Sequence, residues 1–379
     1  MVTLATIKQK QVVVYGTGVN AVKCVHFLEE NNVKIEYVID GRTGIGRFKD
    51  YQVFQPEKQF LDGKYIVVAS SFDTYPAIRE RLKEYVEFHD FIYYHWINKK
   101  MVFLHGNCHM DIIEGFLNSS SKFCEEYAIY PTPRICTKTR VMNSTLANMD
   151  IWIHEDIQTN NAFGYEYSDE YIKKYLSPCI QEIVMPHLYG LGAGFFPHAK
   201  EENERNVSLL NGEYENGMFP IRDDIIEHCL QLHKSVDEIC EYVNEDDIIP
   251  KEYIESNFKE YLDKLRQREQ SWDIKILDFI LENYKTDKLF YDKGHPTNLI
   301  LKKICEGILE ILQIEDIISC IQCLDYHEVP IYSWVRKILG MEWTEQNIRV
   351  SDSAIKATDR MDIQEYIREY VWWCYPELG

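Results

Sequence analysis

The chain has 379 residues, 45% of them hydrophobic, and a formal net charge of −20; it can hold two domains or one large one, and it lacks the basic excess that nucleic acid or an anionic membrane surface requires. Its eleven cysteines are too dilute for a disulfide scaffold, and Cys320-Ile-Gln-Cys323 is a lone C-x-x-C with no second pair to complete a zinc site. Met1 to Lys10 are mixed and polar rather than a leader, no run reaches transmembrane length, and a reduced, cytoplasmic protein without membrane insertion is expected.

Residues 11 to 40 read as strand, turn, helix, strand. Gln11 to Tyr15 is β-branched, Gly16-Thr-Gly18-Val-Asn-Ala21 is a glycine turn of the G-x-G-x-x-A kind, and Val22 to Glu30 is helical. Lys34 to Ile39 is the next strand and ends in Asp40. Gly16 and Gly18 let the backbone approach a phosphate at the helix N-terminus, and an acidic residue about 20 positions on can bind a ribose hydroxyl, the place Asp40 holds. Tyr65 to Ser70 is a third strand and Tyr75 to Tyr85 a helix. Residues 1–98 thus form a small, doubly wound, Rossmann-like α/β domain. It resembles the nucleotide-sugar-binding domains that precede some bacterial glycan acetyltransferases; the alternative is a scaffold with an empty site.

Residues 99–330 read as a second α/β domain. Its strand candidates are Met101–Leu104, Tyr127–Tyr130, Ile151–His154, Glu182–Pro186 and Lys288–Tyr291, several of them separated by helical stretches as a parallel sheet requires. Met101 to Leu104 is an unbroken apolar run, the mark of a buried strand. Gly106-Asn107 breaks it, and Ile112, Ile113, Phe116 and Leu117 then follow helical spacing. Cys108 is therefore placed at a helix N-terminus, where free N–H groups and the helix dipole lower a thiol pKa. A buried structural cysteine is the alternative. Arg134, Lys138 and Arg140 form a basic cluster after the second strand, suited to phosphate or simply solvated. His105 and His109 are four apart, but the turn between them removes the shared helical face, so no metal is expected even with His154 and Asp156 nearby. Residues 200–285 form a helical insertion, with helices expected at Ile221–Val243, Glu252–Arg268 and Trp272–Tyr284. Asn298 to Leu312 closes the domain. In the C-terminal helical extension, 331–379, Ile363, Tyr366, Ile367, Tyr370, Val371 and Cys374 share one helical face, for core packing or a homodimer contact.

Asp292-Lys-Gly-His295 has the D-x-x-H spacing of the SGNH lipase and esterase superfamily, in which the His is general base and the Asp orients it. Gly106-Asn107-Cys108 stands where that superfamily has Gly-Asp-Ser. Gly-Asn-Cys early and His-Pro-Thr late also resemble the WcbI-like family of capsule-polysaccharide acetyltransferases that bind coenzyme A, which usually reads Gly-Asn-Cys-Gln; here His109 replaces the Gln. The resemblance implies an SGNH-hydrolase-like parallel-sheet domain with Cys108 as nucleophile, His295 as base and Asp292 as its orienter. Oxyanion donors would come from the backbone of Cys108 and His109, the Asn107 side chain, and Gln158, Asn160 or Asn161. It further implies acyl, usually acetyl, transfer from coenzyme A to a hydroxyl of a sugar or nucleotide-sugar acceptor, with the donor's phosphates toward Arg134, Lys138 or Arg140. A glycan esterase on the same site and a non-catalytic nucleotide-sugar-binding protein are the alternatives.

Overall fold

The computed structural model describes residues 2–42, 44–71, 74–82, 85–86, 91–200, 203, 218–245, 248–324, 327–344, 348–350 and 360–378. Among them, the first part of the chain runs α1 (Leu4–Ile7), β1 (Val12–Tyr15), α2 (Val19–Glu30), β2 (Ile35–Ile39), β3 (Arg47–Phe48), β4 (Tyr51–Phe54), α3 (Lys58–Leu61), β5 (Tyr65–Val68), α4 (Tyr75–Leu82) and β6 (Phe91–Tyr93). The six strands form one sheet of order β3-β4-β2-β1-β5-β6. Its pairings are parallel except for the edge pair β3–β4. β1 and β5 are buried along their whole length, which is why both read as unbroken β-branched runs rather than alternating ones. β2 and β5 flank β1 on opposite sides, so the turn after β1 lies where the strand order reverses, the place at which doubly wound sheets bind ligands. The helix expected to reach Tyr85 is seen to Leu82; Lys83 and Glu84 lie outside the described residues.

The chain continues through β7 (Lys100–His105), α5 (His109–Ser119), α6 (Ser121–Glu126), β8 (Tyr127–Ile129), α7 (Asn143–Leu146), β9 (Ile151–Glu155), α8 (Asp169–Lys173) and β10 (Gln181–Met185). A second sheet has the order β10-β9-β7-β8, with β7 and β8 parallel. The expected fifth strand, Lys288–Tyr291, is not part of it. There the chain folds back on itself: Phe290 bridges Pro296 and the Tyr291 amide donates to the His295 carbonyl at 2.8 Å. Backbone groups that a strand would spend on a sheet are spent within the loop.

The remainder comprises β11 (Ala199–Lys200) paired antiparallel with β12 (Arg222–Asp223), then α9 (Asp224–Gln231), α10 (Val236–Tyr242), α11 (Lys251–Arg268), α12 (Leu277–Asn283), α13 (Asn298–Ile311), α14 (Ser333–Leu339) and α15 (Ile363–Cys374). The single helix expected over Ile221–Val243 is two. His233 adopts φ 58° after α9, and Ser235 opens α10 with a capping box to Glu238, a strong local start signal. The helix expected from Trp272 begins only at Leu277, because Glu269 captures the amides of Ile276 and Leu277. Residues 204–217 of the insertion lie outside the described residues. α15 buries Tyr366, Ile367, Tyr370, Val371 and Cys374 as their spacing requires, and Asp362 with Glu365 forms its capping box.

By packing, the chain divides into two compact units. Met1–His105, Ser121–Ile153 and Gln158–Glu182 form the first; Gly106–Ser120, His154–Ile157 and Ile183–Gly379 form the second. The first has one continuous apolar core, running from Ile7 through the six-stranded sheet to Trp152 and Ile172; burying each large side chain of this kind contributes roughly 1.5–3 kcal/mol. In the second, α5 packs on α13 and α10 on α15. No helix among the described residues is long and apolar enough to cross a membrane.

Candidate active site

The site is built in the second unit from three short segments. The first is the turn that opens α5. Gly106 is buried, and a Cβ there would meet the Met110 side chain and, at 2.8 Å, Glu155 Oε1; only glycine lets the backbone pass the carboxylate this closely. The Asn107 amide donates to the same oxygen at 3.4 Å. Cys108 is the N-cap of α5. Its own amide and that of His109 precede any intrahelical acceptor and are free to serve a bound oxyanion.

The second segment is the folded-back loop. His295 Nε2 lies 3.8 Å from Cys108 Sγ, and His295 Nδ1 lies 2.7 Å from Asp292 Oδ2. Asp292 is 1% exposed, and its other oxygen accepts the amides of Gly294 at 2.6 Å and His295 at 2.8 Å. The imidazole therefore has a fixed ring orientation, with Nε2 directed at the thiol. His109 Nε2 donates to the Gly294 carbonyl at 2.8 Å, tying α5 to this loop.

The third segment was not singled out by any sequence motif. Glu155, the last residue of β9, is fully buried, with Oε1 3.5 Å from His109 Nδ1 and Oε2 2.9 Å from His187 Nδ1. His187 follows β10, and its side chain is 29% exposed.

Burial alone pushes the Cys108 thiol up, but His109 and then His295 outweigh it and bring it from 9.0 to about 7, against an opposing contribution from Glu155. Burial disfavours the His295 cation, yet Asp292 and the thiol raise it from 6.5 to about 10. His109 is raised against its burial by Cys108 and Glu155. Glu155 and Asp292 stay ionised despite burial because histidines pair with them. Near neutral pH the arrangement favours a thiolate facing an imidazolium, the pairing that an activated cysteine nucleophile requires. Cys108, His109 and His295 also place potential metal-ligand atoms within 4.8 Å of one another. His109, however, has one nitrogen on Gly294 and the other facing Glu155, so ligation would require it to surrender a partner.

The structure thus brings together Cys108, His295, Asp292, Asn107 and His109. The remaining catalytic and cofactor candidates lie in the first unit. Gln158 is exposed, and the Asn161 amide is spent within its own loop, on the Gln158 and Gly164 carbonyls and the Phe163 and Gly164 amides. Arg134 precedes a single 3-10 turn, Lys138 closes it at φ 53°, and Arg140 stacks on Tyr171 at 4.9 Å. Gly16, Gly18 and Asp40 line one cavity of ≈ 670 Å³, together with Arg42, Ser70 and Arg81. Gly16 has φ 119°, and a Cβ on it would meet the Ala69 carbonyl oxygen at 2.9 Å; Gly18 faces open space. The Asp40 carboxylate accepts from Thr17 at 2.7 Å and from the Arg42 amide, Nε and Nη2 at 2.8, 3.1 and 3.0 Å. It is engaged by an arginine rather than open to a ribose. Glu155 and His187 are the residues that sequence reasoning missed; a charged residue closing a buried strand was the available signal for the first, and nothing local marks the second.

A family model described as polysaccharide biosynthesis enzyme WcbI matches residues 101–316. A solved structure described as WcbI, a novel polysaccharide biosynthesis enzyme, in a native form without a disulfide between coenzyme A and one of its cysteines, aligns with a TM-score of 0.60 at 16% identity, over 73% of this chain and 90% of that one. At that identity the likeness carries the fold. No curated protein matches.

Proposed function

The chain belongs to the WcbI family of polysaccharide biosynthesis enzymes, whose model spans more than half of it, and we propose that it transfers an acyl group, acetyl in the simplest case, from coenzyme A to a hydroxyl of a capsular or other surface-polysaccharide precursor. The observation that carries this reading is the Cys108–His295–Asp292 chain of contacts, 3.8 Å and 2.7 Å long, in a family of which a solved structure is described with reference to coenzyme A and a cysteine. The Cys108 thiolate attacks the thioester carbonyl. The amides of Cys108 and His109 hold the developing oxyanion. As the bond to the coenzyme A sulfur breaks, the His295 imidazolium gives that sulfur its proton, leaving acyl-Cys108 and a neutral His295. An acceptor hydroxyl then attacks the acyl carbon, its proton passes to the now neutral His295 Nε2, the C–S bond breaks, and Cys108 departs as thiolate to restore the ion pair with the His295 imidazolium.

The donor's phosphates are assigned to the basic cluster of Arg134, Lys138 and Arg140; unchanged coenzyme A affinity in the triple alanine variant, by calorimetry, removes that assignment. For the first unit, the cavity at Gly16 and Gly18 supports a phosphate-bearing nucleotide ligand, with Arg42 rather than a free Asp40 beside it. Incubation with acetyl-coenzyme A tests the main reading. Acetyl on Cys108 by intact mass, and coenzyme A release that rises with added sugar acceptor, are expected. Release that ignores the sugar while sugar acetates are cleaved would make the protein an esterase on the same site, and neither activity would remove the enzyme reading.

A further inference from the structure

We propose that the cavity between the glycine-rich loop after β10 and helix α11 is the subsite for the acceptor sugar, built for a neutral, hydroxyl-rich ring; the inference rests on the acyl-transfer reading above. The cavity holds ≈ 340 Å³ and lies wholly within the second unit. One wall is the chain at Gly190, Leu191, Ala193 and Gly194; the other is the polar face of α11, with Asn257, Glu260, Lys264, Gln267 and Arg268. The first wall is pinned to α11: the Tyr261 hydroxyl donates to the Leu191 carbonyl at 2.5 Å, and a Cβ on Gly194 would come within 2.3 Å of the Tyr261 ring. The same loop touches the catalytic segment. The Gly192 amide donates to the Lys293 carbonyl at 2.9 Å. A Cβ on Gly192 would meet the Asp292 carbonyl oxygen at 2.8 Å, and one on Gly294 would meet the Tyr189 ring at 3.2 Å. His295, next in the chain, lies 3.8 Å from Cys108 Sγ. The second wall reaches the site as well. Arg268 Nη2 donates to the His187 carbonyl at 3.4 Å, and His187 is held by Glu155, whose other oxygen accepts the Asn107 amide. An occupant of the cavity therefore lies against the segments that carry His295 and Cys108.

The lining chemistry selects the occupant. The charges of the cavity are balanced: Lys264 Nζ is 2.6 Å from Glu260 Oε1. Burial lowers the Arg268 pKa, and the Asp156 and Glu155 carboxylates oppose that, so its charge is answered too. The polyanionic end of coenzyme A gains little from such a lining and would meet the Glu260 carboxylate. A sugar hydroxyl both donates and accepts, and the cavity offers both kinds of partner. The Asn257 and Gln267 amides do each, Glu260 accepts, and Lys264 and Arg268 donate. The volume is at the small end for ligand cavities, with room for roughly one or two sugar rings. Glycines in the facing loop let a flat ring come close to the backbone. Tyr189, 52% exposed, joins that wall to Gly294 and adds an apolar face with a polar tip.

The probes are the methyl glycosides of glucose, galactose, mannose and N-acetylglucosamine. Two variants are compared with wild type: Asn257→Ala with Gln267→Ala, which removes the amides, and Gln267→Trp, which places a large ring in the cavity. Melting temperatures check that both are folded. Saturation-transfer NMR needs no turnover; in it at least one glycoside is expected to bind wild type, and both variants to weaken that binding by about tenfold or more, the worth of two lost hydrogen bonds. In turnover the KM for the same glycoside should rise by a similar factor while the KM for acetyl-coenzyme A holds, and the calorimetric affinity for coenzyme A should stay at the wild-type value. No glycoside bound by wild type, or binding that ignores both variants, would overturn the proposal. So would a loss of coenzyme A affinity in the variants, which would give the cavity to the donor. A wild type that binds a glycoside but never releases coenzyme A defeats the acyl-transfer reading and the acceptor role with it, whereas glycoside-dependent release that the variants leave unchanged defeats the inference alone.

Discussion

The turn after β1 and the turn after β7 are the same backbone device put to two ends. Each follows a buried strand, opens on a glycine that cannot bear a side chain without collision, and starts a helix, at Gly18 in one and Cys108 in the other. Each also has a buried carboxylate beside it, Asp40 just past β2 and Glu155 at the end of β9. The partners of these acids differ. Asp40 is neutralised by Arg42, a cation at every accessible pH, whereas Glu155 is flanked by His109 and His187. An arginine keeps its charge at every accessible pH, whereas a histidine side chain can exist in either protonation state. A bare Gly18 cap and a thiol cap complete the contrast.

The comparison breaks most sharply at Cys108. Cys108→Ala should lower acyl transfer at least about a thousandfold, the scale of losing a nucleophile; a variant that keeps most of its turnover would reduce the second turn to scaffold. His295→Ala comes next. A thiol at about 7 is half ionised at neutral pH, and one returned all the way to 9.0 would be about 1% ionised; His109 remains in this variant, so the rise is partial and iodoacetamide labelling of Cys108 at pH 7 should slow by less than about fiftyfold. The sign follows from the reactive form: thiolate is lost as pH falls through the thiol pKa, so the labelling midpoint moves upward in the variant. Asp292→Asn should move it less. His109→Gln, the residue usual in the family, should also raise the midpoint but leave it below 9.0, because His295 remains. The smallest effects belong to the first turn. Gly16→Ala, forced to a positive φ against the Ala69 carbonyl, should cost roughly 1–3 kcal/mol in denaturant unfolding. Gly18→Ala should cost only a few tenths to about 1 kcal/mol, yet erase any rise in melting temperature produced by nucleotides. A wild-type protein whose melting is indifferent to a broad nucleotide panel would leave the first turn structural.

Much of the second turn was legible because its signals are contiguous. Gly106-Asn107-Cys108 and Asp292-Lys-Gly-His295 each hold their geometry within four residues, and the apolar runs around them set strand and helix. Glu155 and His187 were hidden because no spacing links residues 155 and 187 to 108; only the order of strands β7, β9 and β10 places their ends side by side. The loop at Phe290 was read as a strand since its local composition is strand-like, while the fold-back depends on Asp292 collecting amides two and three residues ahead. In the first unit, Gly16, Gly18 and Asp40 do line one cavity, but Arg42, two residues on, engages the acid that the sequence reading left for a ribose.

Asp292 carries one consequence beyond orienting the base. One of its oxygens holds the amides of Gly294 and His295, so the shape of the loop depends on the charge that also directs His295. Its folded pKa lies below the ordinary 3.8. The stabilisation is therefore present above the unfolded value and lost as pH falls through the folded one. Acid should then release the loop as a local opening rather than merely silence its histidine: in hydrogen exchange the amides of Gly294 and His295 should lose protection together, ahead of the α5 and α13 helices against which they are measured. His295 and the fold of its own segment should then behave as one cooperative element and fail at the same pH.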